Sequence, residues 1–237
     1  MHKNGILGIG VATMDIYVNR DRMFPGGNEY NVACNAKLLG ARAGFLGVFG
    51  NDPYGPILED TLKTCGVDIS HCRHEIGSSG YSLVELKEDG DRIFLDWNKQ
   101  GVTDLYPIQF TEEEICRISP CIKYGFFSCS HLTVPEIKDT LKLAVESGCR
   151  VAVGTRGADP IIAYDGNDWY EQETFPVAHV VDALGAGDSY IAAFLTSYLT
   201  EPERKEKDRI TKALEDAARH AAGVIVKEGS IGIGFDL

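Results

Sequence analysis

At 237 residues, with 44% hydrophobic and 24% charged positions, the chain is long enough for one α/β domain with a substantial core and a small appendage. A net charge of -12 argues against nucleic acid or an anionic membrane as partner, although local N–H groups and a metal still allow phosphorylated small molecules. The seven cysteines (34, 65, 72, 116, 121, 129, 149) are odd in number and lack C-x-x-C spacing, so they read as buried thiols of a reduced, cytoplasmic protein.

Cys116 and Cys121 have no histidines nearby, and a zinc site is rejected. Met1 to Val11 lacks a basic start followed by a long apolar core. No apolar run approaches the roughly 18 residues a membrane helix needs, so neither secretion nor membrane spanning is expected.

Ile6 to Val11 predicts a buried first strand. Gly8 and Gly10 lack the third glycine and the following helix of a dinucleotide fingerprint. Asp15 to Asn19 alternates polar and apolar residues as a half-exposed strand does. Gly26-Gly27-Asn28 opens a helix that carries Val32, Ala33, Ala36 and Leu39 on its apolar side and stops at Gly40. The glycines allow close backbone approach by a ligand; Asn28 caps the helix, offers a donor and an acceptor to a polyol, or does both.

Ala43 to Phe49 predicts a second core strand, and Asp52, Pro53 and Gly66 bracket a helix. Gly80 to Leu86, a turn at Asp89-Gly90, and Arg92 to Trp97 form a hairpin pattern. Thr111 with Glu114, and Thr133 with Glu136, make capping boxes. Arg150 to Gly154 is a buried strand, followed by a hairpin over Ile161 to Gln172. Glu201 to Asp208 reads as a solvated, charged turn and Ala213 to Val226 as a buried helix.

The chain is organised around Asp182-Ala183-Leu184-Gly185-Ala186-Gly187-Asp188, set between a β-branched run at Val177 to Val181 and an apolar helical run after Asp188. A tight turn of small residues aims free backbone N–H groups and a positive helix end at one spot, which suits an anion. A carboxylate there repels such a ligand unless it has a task, such as taking a proton from an attacking hydroxyl. Asp188 also suits a first helical turn for dipole reasons alone.

This segment resembles the C-terminal signature of the ribokinase-like (PfkB) carbohydrate kinases. Pro25-Gly26-Gly27-Asn28, Asn31-Val32-Ala33 and Gly47 to Gly55 are similar to the family's N-terminal motif. The resemblance implies a doubly wound, mostly parallel α/β sheet flanked by helices, as one domain over 1–237 with a small β lid from about 13–25 and 76–100. It implies an ATP-dependent sugar kinase that uses Mg²⁺, with Asp188 as base and the Gly185, Ala186 and Gly187 N–H groups as anion hole. Asp15, Gly26, Gly27 and Asn28 would bind the sugar, and Thr155 and Gly157, with Gly187, the nucleotide. Asp182 matches a monovalent-cation aspartate, hence K⁺, and Glu136 is the nearest candidate for a magnesium acid. The lid hairpin would cover the sugar and pair two subunits as a homodimer.

Asp15-Ile16-Tyr17, Phe24 to Asn28 and Arg92-Ile93-Phe94 look most like the fructoselysine 6-kinases, which points to a ketose or fructosamine phosphorylated on a primary hydroxyl. Three departures stand out. The span 101–123 is about one β-α unit short, Pro160 replaces the last glycine of the nucleotide motif, and no Asn-x-x-Glu occurs where expected. They keep a non-catalytic binder of the same fold open as an alternative, and a nucleoside kinase is a third.

Overall fold

The computed structural model describes residues 5–106, 108 and 123–237; the expected Thr111–Glu114 capping box, Cys116 and Cys121 lie outside these. The chain starts with β1 (Ile6–Ile9), β2 (Thr13–Tyr17), β3 (Arg22–Gly26) and helix α1 (Asn28–Leu38). Next come β4 (Ala43–Leu46), β5 (Val48–Phe49), α2 (Tyr54–Cys65) and β6 (Arg73–His74). The hairpin β7 (Gly80–Leu86) and β8 (Arg92–Trp97) follows, then the short α3 (Val102–Leu105). The second half runs β9 (Tyr124–Ser128), α4 (Val134–Glu146), β10 (Val151–Arg156), β11 (Asp159–Tyr164) and β12 (Trp169–Gln172). Helices α5 (Ala186–Thr200) and α6 (Glu206–Val224) and the short β13 (Phe235–Asp236) complete it.

Two layers matter for the site. A five-stranded sheet in the order β13-β3-β2-β7-β8 brings together the two segments expected to form a lid, with Asp15 opposite Phe24 on one side and Ser82 on the other, and Leu86 opposite Arg92. The core comprises the parallel pair β1-β4, the pair β5-β6 and the sheet β12-β11-β10-β9. Val151, Val153 and Ile161 of that sheet pack against Phe194 and Tyr198 of α5 and Leu214 of α6. Tyr30, Phe45, Phe49, Leu58 and Leu62 close the opposite half. A smaller cluster of Tyr17, Phe24, Val84 and Leu86 takes in Leu184, so lid side chains hold the organising segment by burial of apolar surface.

Local chemistry explains the boundaries. The Asp52 carboxylate accepts from Gly55 N at 3.1 Å to start α2, and Gly66 ends it in the left-handed region at φ 80°. Thr133 and Glu136 form the expected capping box on α4. The stretch 43–49 is two strands rather than one. At Gly47 a side chain would meet the Phe45 ring, and the chain changes partner from β1 to β6. Val177 to Val181 is not a strand: the N–H groups of Val181 and Asp182 bond to the Ile225 carbonyl at 2.8 and 3.2 Å, tying the run to the end of α6. Helix α6 starts at Glu206, inside the stretch expected to be a charged turn. Glu, Lys and Arg are good helix formers, and the buried Arg209 lays its guanidinium 3.7 Å from the Tyr198 ring centre.

Among the described residues, β1 pairs only with β4 and β9 only with β10, so the parallel core comes in two pieces. This matches the β-α unit that the sequence leaves out before Lys123.

Candidate active site

The loop between β1 and β2 sends the chain from the core to the five-stranded sheet, and β2 carries Asp15, which is 5% exposed. A Cβ on Gly26 would stand 2.1 Å from Asp15 Oδ2, so glycine is what lets β3 close against that carboxyl. Burial pushes Asp15 up to about 7; the Ser82 hydroxyl and Arg92 oppose this, while Asp182 and Asp188 add to it.

Helix α5 starts at Gly185, which is left-handed at φ 73°, and a Cβ there would strike Ser230 at 2.1 Å. No side chain caps this helix. The Ala186 N–H already reaches the Ala183 carbonyl at 3.3 Å, while the space beside Gly187 is open. The turn therefore leaves donors at a positive helix end facing free space.

Asp188 lies in the first turn of α5, and its Oδ2 accepts from Asn31 Nδ2 at 2.9 Å. Burial pushes its carboxyl up to about 6; Asn31 and Arg92 hold it down and Glu29 raises it. Asn31 is itself fixed, because Ser230 Oγ donates to its Oδ1 at 2.6 Å and Asn35 Nδ2 donates to its carbonyl at 2.9 Å. The result is a carboxylate that is ionised near neutral pH, oriented by an amide, and beside uncapped N–H groups. Chemically, that arrangement can accept a proton next to an anion.

Asp182, 1% exposed, shares its carboxylate among three protein donors: Tyr17 Oη at 2.6 Å, Gly229 N at 2.8 Å and Leu184 N at 2.8 Å. It thereby joins lid, loop and C-terminal segment. Gly27, at φ 112°, precedes α1 with no side-chain cap, and Asn28 is exposed at the first helical position. The capping reading of Asn28 is therefore not what is seen, and its amide faces solvent beside the site.

Thr155, next to last in β10, has its hydroxyl toward the Phe127 carbonyl at 3.4 Å, and Gly157 turns at φ 65° with open space beside it. Pro160 lies within β11, where its carbonyl accepts from Arg156 Nη1 at 3.3 Å. Among the described residues, no hydrogen bond links this turn to the 182–188 segment. Glu136 Oε2 accepts from Thr133 N at 2.8 Å and Thr133 Oγ1 at 2.7 Å, bonds that hold the carboxyl below its usual range. No group of three or more His, Cys, Asp or Glu suited to a metal occurs among the described residues. A Mg²⁺ ion carried on nucleotide phosphates needs only one or two protein carboxylates.

Sequence reasoning gave no individual role to Asn31, Arg92 or Tyr17, and set Ser230 only in a loop that the family resemblance puts beside adenine. Asn31 was within reach: an amide three residues after Asn28, on the buried face of a helix, has to find a partner. Ser230 and Tyr17 are distant in sequence and carry no such signal.

The model for the pfkB family of carbohydrate kinases matches residues 7–119 and 126–233. Fructosamine kinase FrlD of Bacillus subtilis is 30% identical over 273 residues, covering 97% of this chain and 94% of that protein. That alignment is longer than the 237-residue chain and so opens gaps in it. Fructoselysine 6-kinase of Escherichia coli is 30% identical over 230 residues, covering 80% of this chain and 87% of its own length. Among solved structures, the fructokinase of Vibrio cholerae in its fructose, ADP and calcium ion bound form superposes with a TM-score of 0.78 at 17% identity, over 97% of this chain and 95% of that one. No helix among the described residues is long and apolar enough to cross a membrane.

Proposed function

The chain belongs to the pfkB family of carbohydrate kinases and is a sugar kinase, and from that premise we propose that it transfers the γ-phosphoryl group of ATP to the primary hydroxyl of a ketose or fructosamine. The observation that carries this reading is Asp188, a buried carboxylate held by Asn31 at the uncapped start of α5. Asp188 takes the hydroxyl proton as the sugar oxygen forms its bond to phosphorus. The bond from phosphorus to the bridging oxygen of ATP breaks, its electron pair leaving with ADP. The N–H groups at Gly185 and Gly187 face the charge on the transferring group; Ala186 is partly committed to its turn. Mg²⁺, when bound with ATP, neutralises phosphate charge.

Asp15, beside Gly26, receives the sugar hydroxyls together with Asn28. The fructosamine kinases among the relatives favour a fructosamine such as fructoselysine as the acceptor. The apolar outer strand of the lid serves as the contact between two subunits, making a homodimer.

The test is ADP release from Mg-ATP with fructoselysine, fructose, ribose and adenosine, beside Asp188→Asn. Turnover with a sugar, reduced about 10²- to 10⁴-fold in the variant with binding retained, is expected. Near-normal turnover in Asp188→Asn overturns the assignment of the base, and selective use of adenosine moves the acceptor to nucleosides.

A further inference from the structure

Helix α1 buries two side-chain amides one turn apart, Asn31 and Asn35, among Tyr30, Ala33, Cys34 and Ala36. Asn31 holds Asp188, but the chemistry above gives Asn35 no task. A buried amide destabilises the fold unless both of its ends find partners, so those partners show what it is there to hold. Asn35 Nδ2 donates to the Asn31 carbonyl at 2.9 Å and to the Ser230 carbonyl at 3.5 Å. Its Oδ1 meets Nε2 of His220, a residue of α6, at 3.3 Å.

These contacts fix the direction of each bond. A turned-over Asn35 amide would set its oxygen against two carbonyl oxygens, so Oδ1 faces His220 and the imidazole carries a hydrogen on Nε2. Burial, and after it Lys227, holds the ring toward its neutral form, and the protonated ring would donate from the same atom. At the other end Ser230 Oγ donates to Asn31 Oδ1 at 2.6 Å, because Asn31 Nδ2 is committed to Asp188. The bonds therefore run from His220 through Asn35, Ser230 and Asn31 to the carboxylate, crossing from α6 to α1 and on to α5.

Ser230 is where this relay reaches the chemistry. It is fully buried, and a Cβ on Gly185 would strike its Cβ at 2.1 Å, so it backs the turn that starts α5 as well as the amide that faces the base. Without the Ser230 hydroxyl, Asn31 Oδ1 is a buried acceptor with no donor. Turning the amide over then puts that oxygen against Asp188, an arrangement that suits only a protonated carboxyl. We propose that His220, Asn35 and Ser230 are positioning residues that lock the Asn31 amide with its nitrogen toward Asp188 and so keep the base ready for the sugar's proton. The inference rests on the kinase reading above. The charges that reach Asp188 are those of Glu29 on α1, Arg92 on β8 and Asp15 on β2. Among the described residues none of these three bonds to His220, Asn35 or Ser230, so a change in the relay acts on Asp188 through Asn31.

The experiment follows the fall of kcat/KM at low pH in wild type, Ser230→Ala, Asn31→Ala and the double variant, with Mg-ATP and the sugar that turns over best. Ser230→Ala is expected to move this acid limb up by about half a pH unit, a loss that approaches threefold below pH 5.5 and fades above pH 8. In the Asn31→Ala background the same substitution is expected to add nothing, because its effect passes through that amide. His220→Phe keeps a ring and loses the donor; about a twofold loss below pH 5.5 is expected, and His220→Gln is expected to restore it. Nitrogen NMR is expected to show the neutral ring with its hydrogen on Nε2.

A loss in Ser230→Ala that is equal at every pH, or a limb that moves equally in both backgrounds, overturns the proposal. So does a neutral His220 that carries its hydrogen on Nδ1. Should melting show Ser230→Ala to be unfolded, His220→Phe and His220→Gln decide, and identical limbs in the two overturn it. A wild-type protein silent toward the whole panel counts against the kinase reading itself. The relay is then judged by titrating the Asp188 carboxyl with carbon NMR in the same variants, where the same shifts are expected and their absence overturns it.

Discussion

Asn31 Nδ2 donates to Asp188 Oδ2 at 2.9 Å, and Ser230 Oγ, 199 residues from Asn31, donates to the same amide at 2.6 Å. The pair joins the first helix of the glycine motif to the first turn of α5. A hydrogen bond from a neutral amide to a carboxylate favours the ionised form. Asn31→Ala is therefore expected to raise Asp188 above its value of about 6 and to push the acid limb of the kcat/KM profile about one unit higher. The loss is then about threefold near pH 6.5, approaches tenfold below pH 5.5 and fades above pH 8. A uniform loss at every pH would mean that Asn31 only supports packing.

The wild-type profile follows from the same carboxyl. A base must be deprotonated, so kcat/KM is expected to fall tenfold per pH unit below about 6, with Asp15, near 7, bending the limb earlier if its ionised form binds the sugar. Asp188→Asn has no such limb in its residual rate. A wild-type rate that stays level down to pH 4.5 would remove Asp188 from proton transfer.

Much of this was legible in the sequence, and the reasons are local. The hairpin β7-β8, the glycine-started α1 and the capping box at Thr133 and Glu136 are set by short-range chemistry, and all stand where expected. The turn at Gly185 and Gly187 was visible because small residues before an apolar run have few other uses. The Val177–Val181 run misled because β-branched residues report only a fit to a half-buried surface. Here the partner is the Ile225 carbonyl and not a neighbouring strand. Asp182 shows the same limit. Its identity was plain, but its three donors come from Tyr17, Leu184 and Gly229, and no spacing rule brings those together.

Asp15 offers a test of cost against function. Its carboxyl is raised from 3.8 to about 7, so the folded protein binds a proton that the unfolded chain has already released. Its contribution to stability is therefore full below pH 3.8 and is lost as pH rises through about 7. Asp15→Asn removes the penalty. At pH 8 the variant is expected to be more stable than wild type by a few kcal/mol, at about 1.4 kcal/mol per unit, and the difference is expected to vanish near pH 4. Paired denaturant titrations at the two pH values measure it. Sugar affinity should drop in the same variant. Equal stability at both pH values would mean that Asp15 is not held in its buried environment in solution.

The outer lid strand accounts for the proposed dimer. Ile93, Phe94, Leu95 and Trp97 are 44, 51, 51 and 55% exposed, and β8 ends its sheet with no neighbour beyond it among the described residues. A strand edge with four large apolar side chains in view invites a second chain. Light scattering on the purified protein is expected to give twice the 25.9 kDa chain mass. Leu95→Lys with Trp97→Lys is expected to give the single mass. Both side chains are already half in water, so the monomer should lose under about 1 kcal/mol of its own stability. The sugar KM should rise as the lid loses its partner surface, while kcat at saturation changes less, because Asp188 and the α5 turn are untouched. A monomeric wild type would leave these side chains as a bare face of the sheet, held to the rest of the chain by the cluster around Leu184, by Met14 and Met23 in the core, and by the bond from Tyr17 to Asp182.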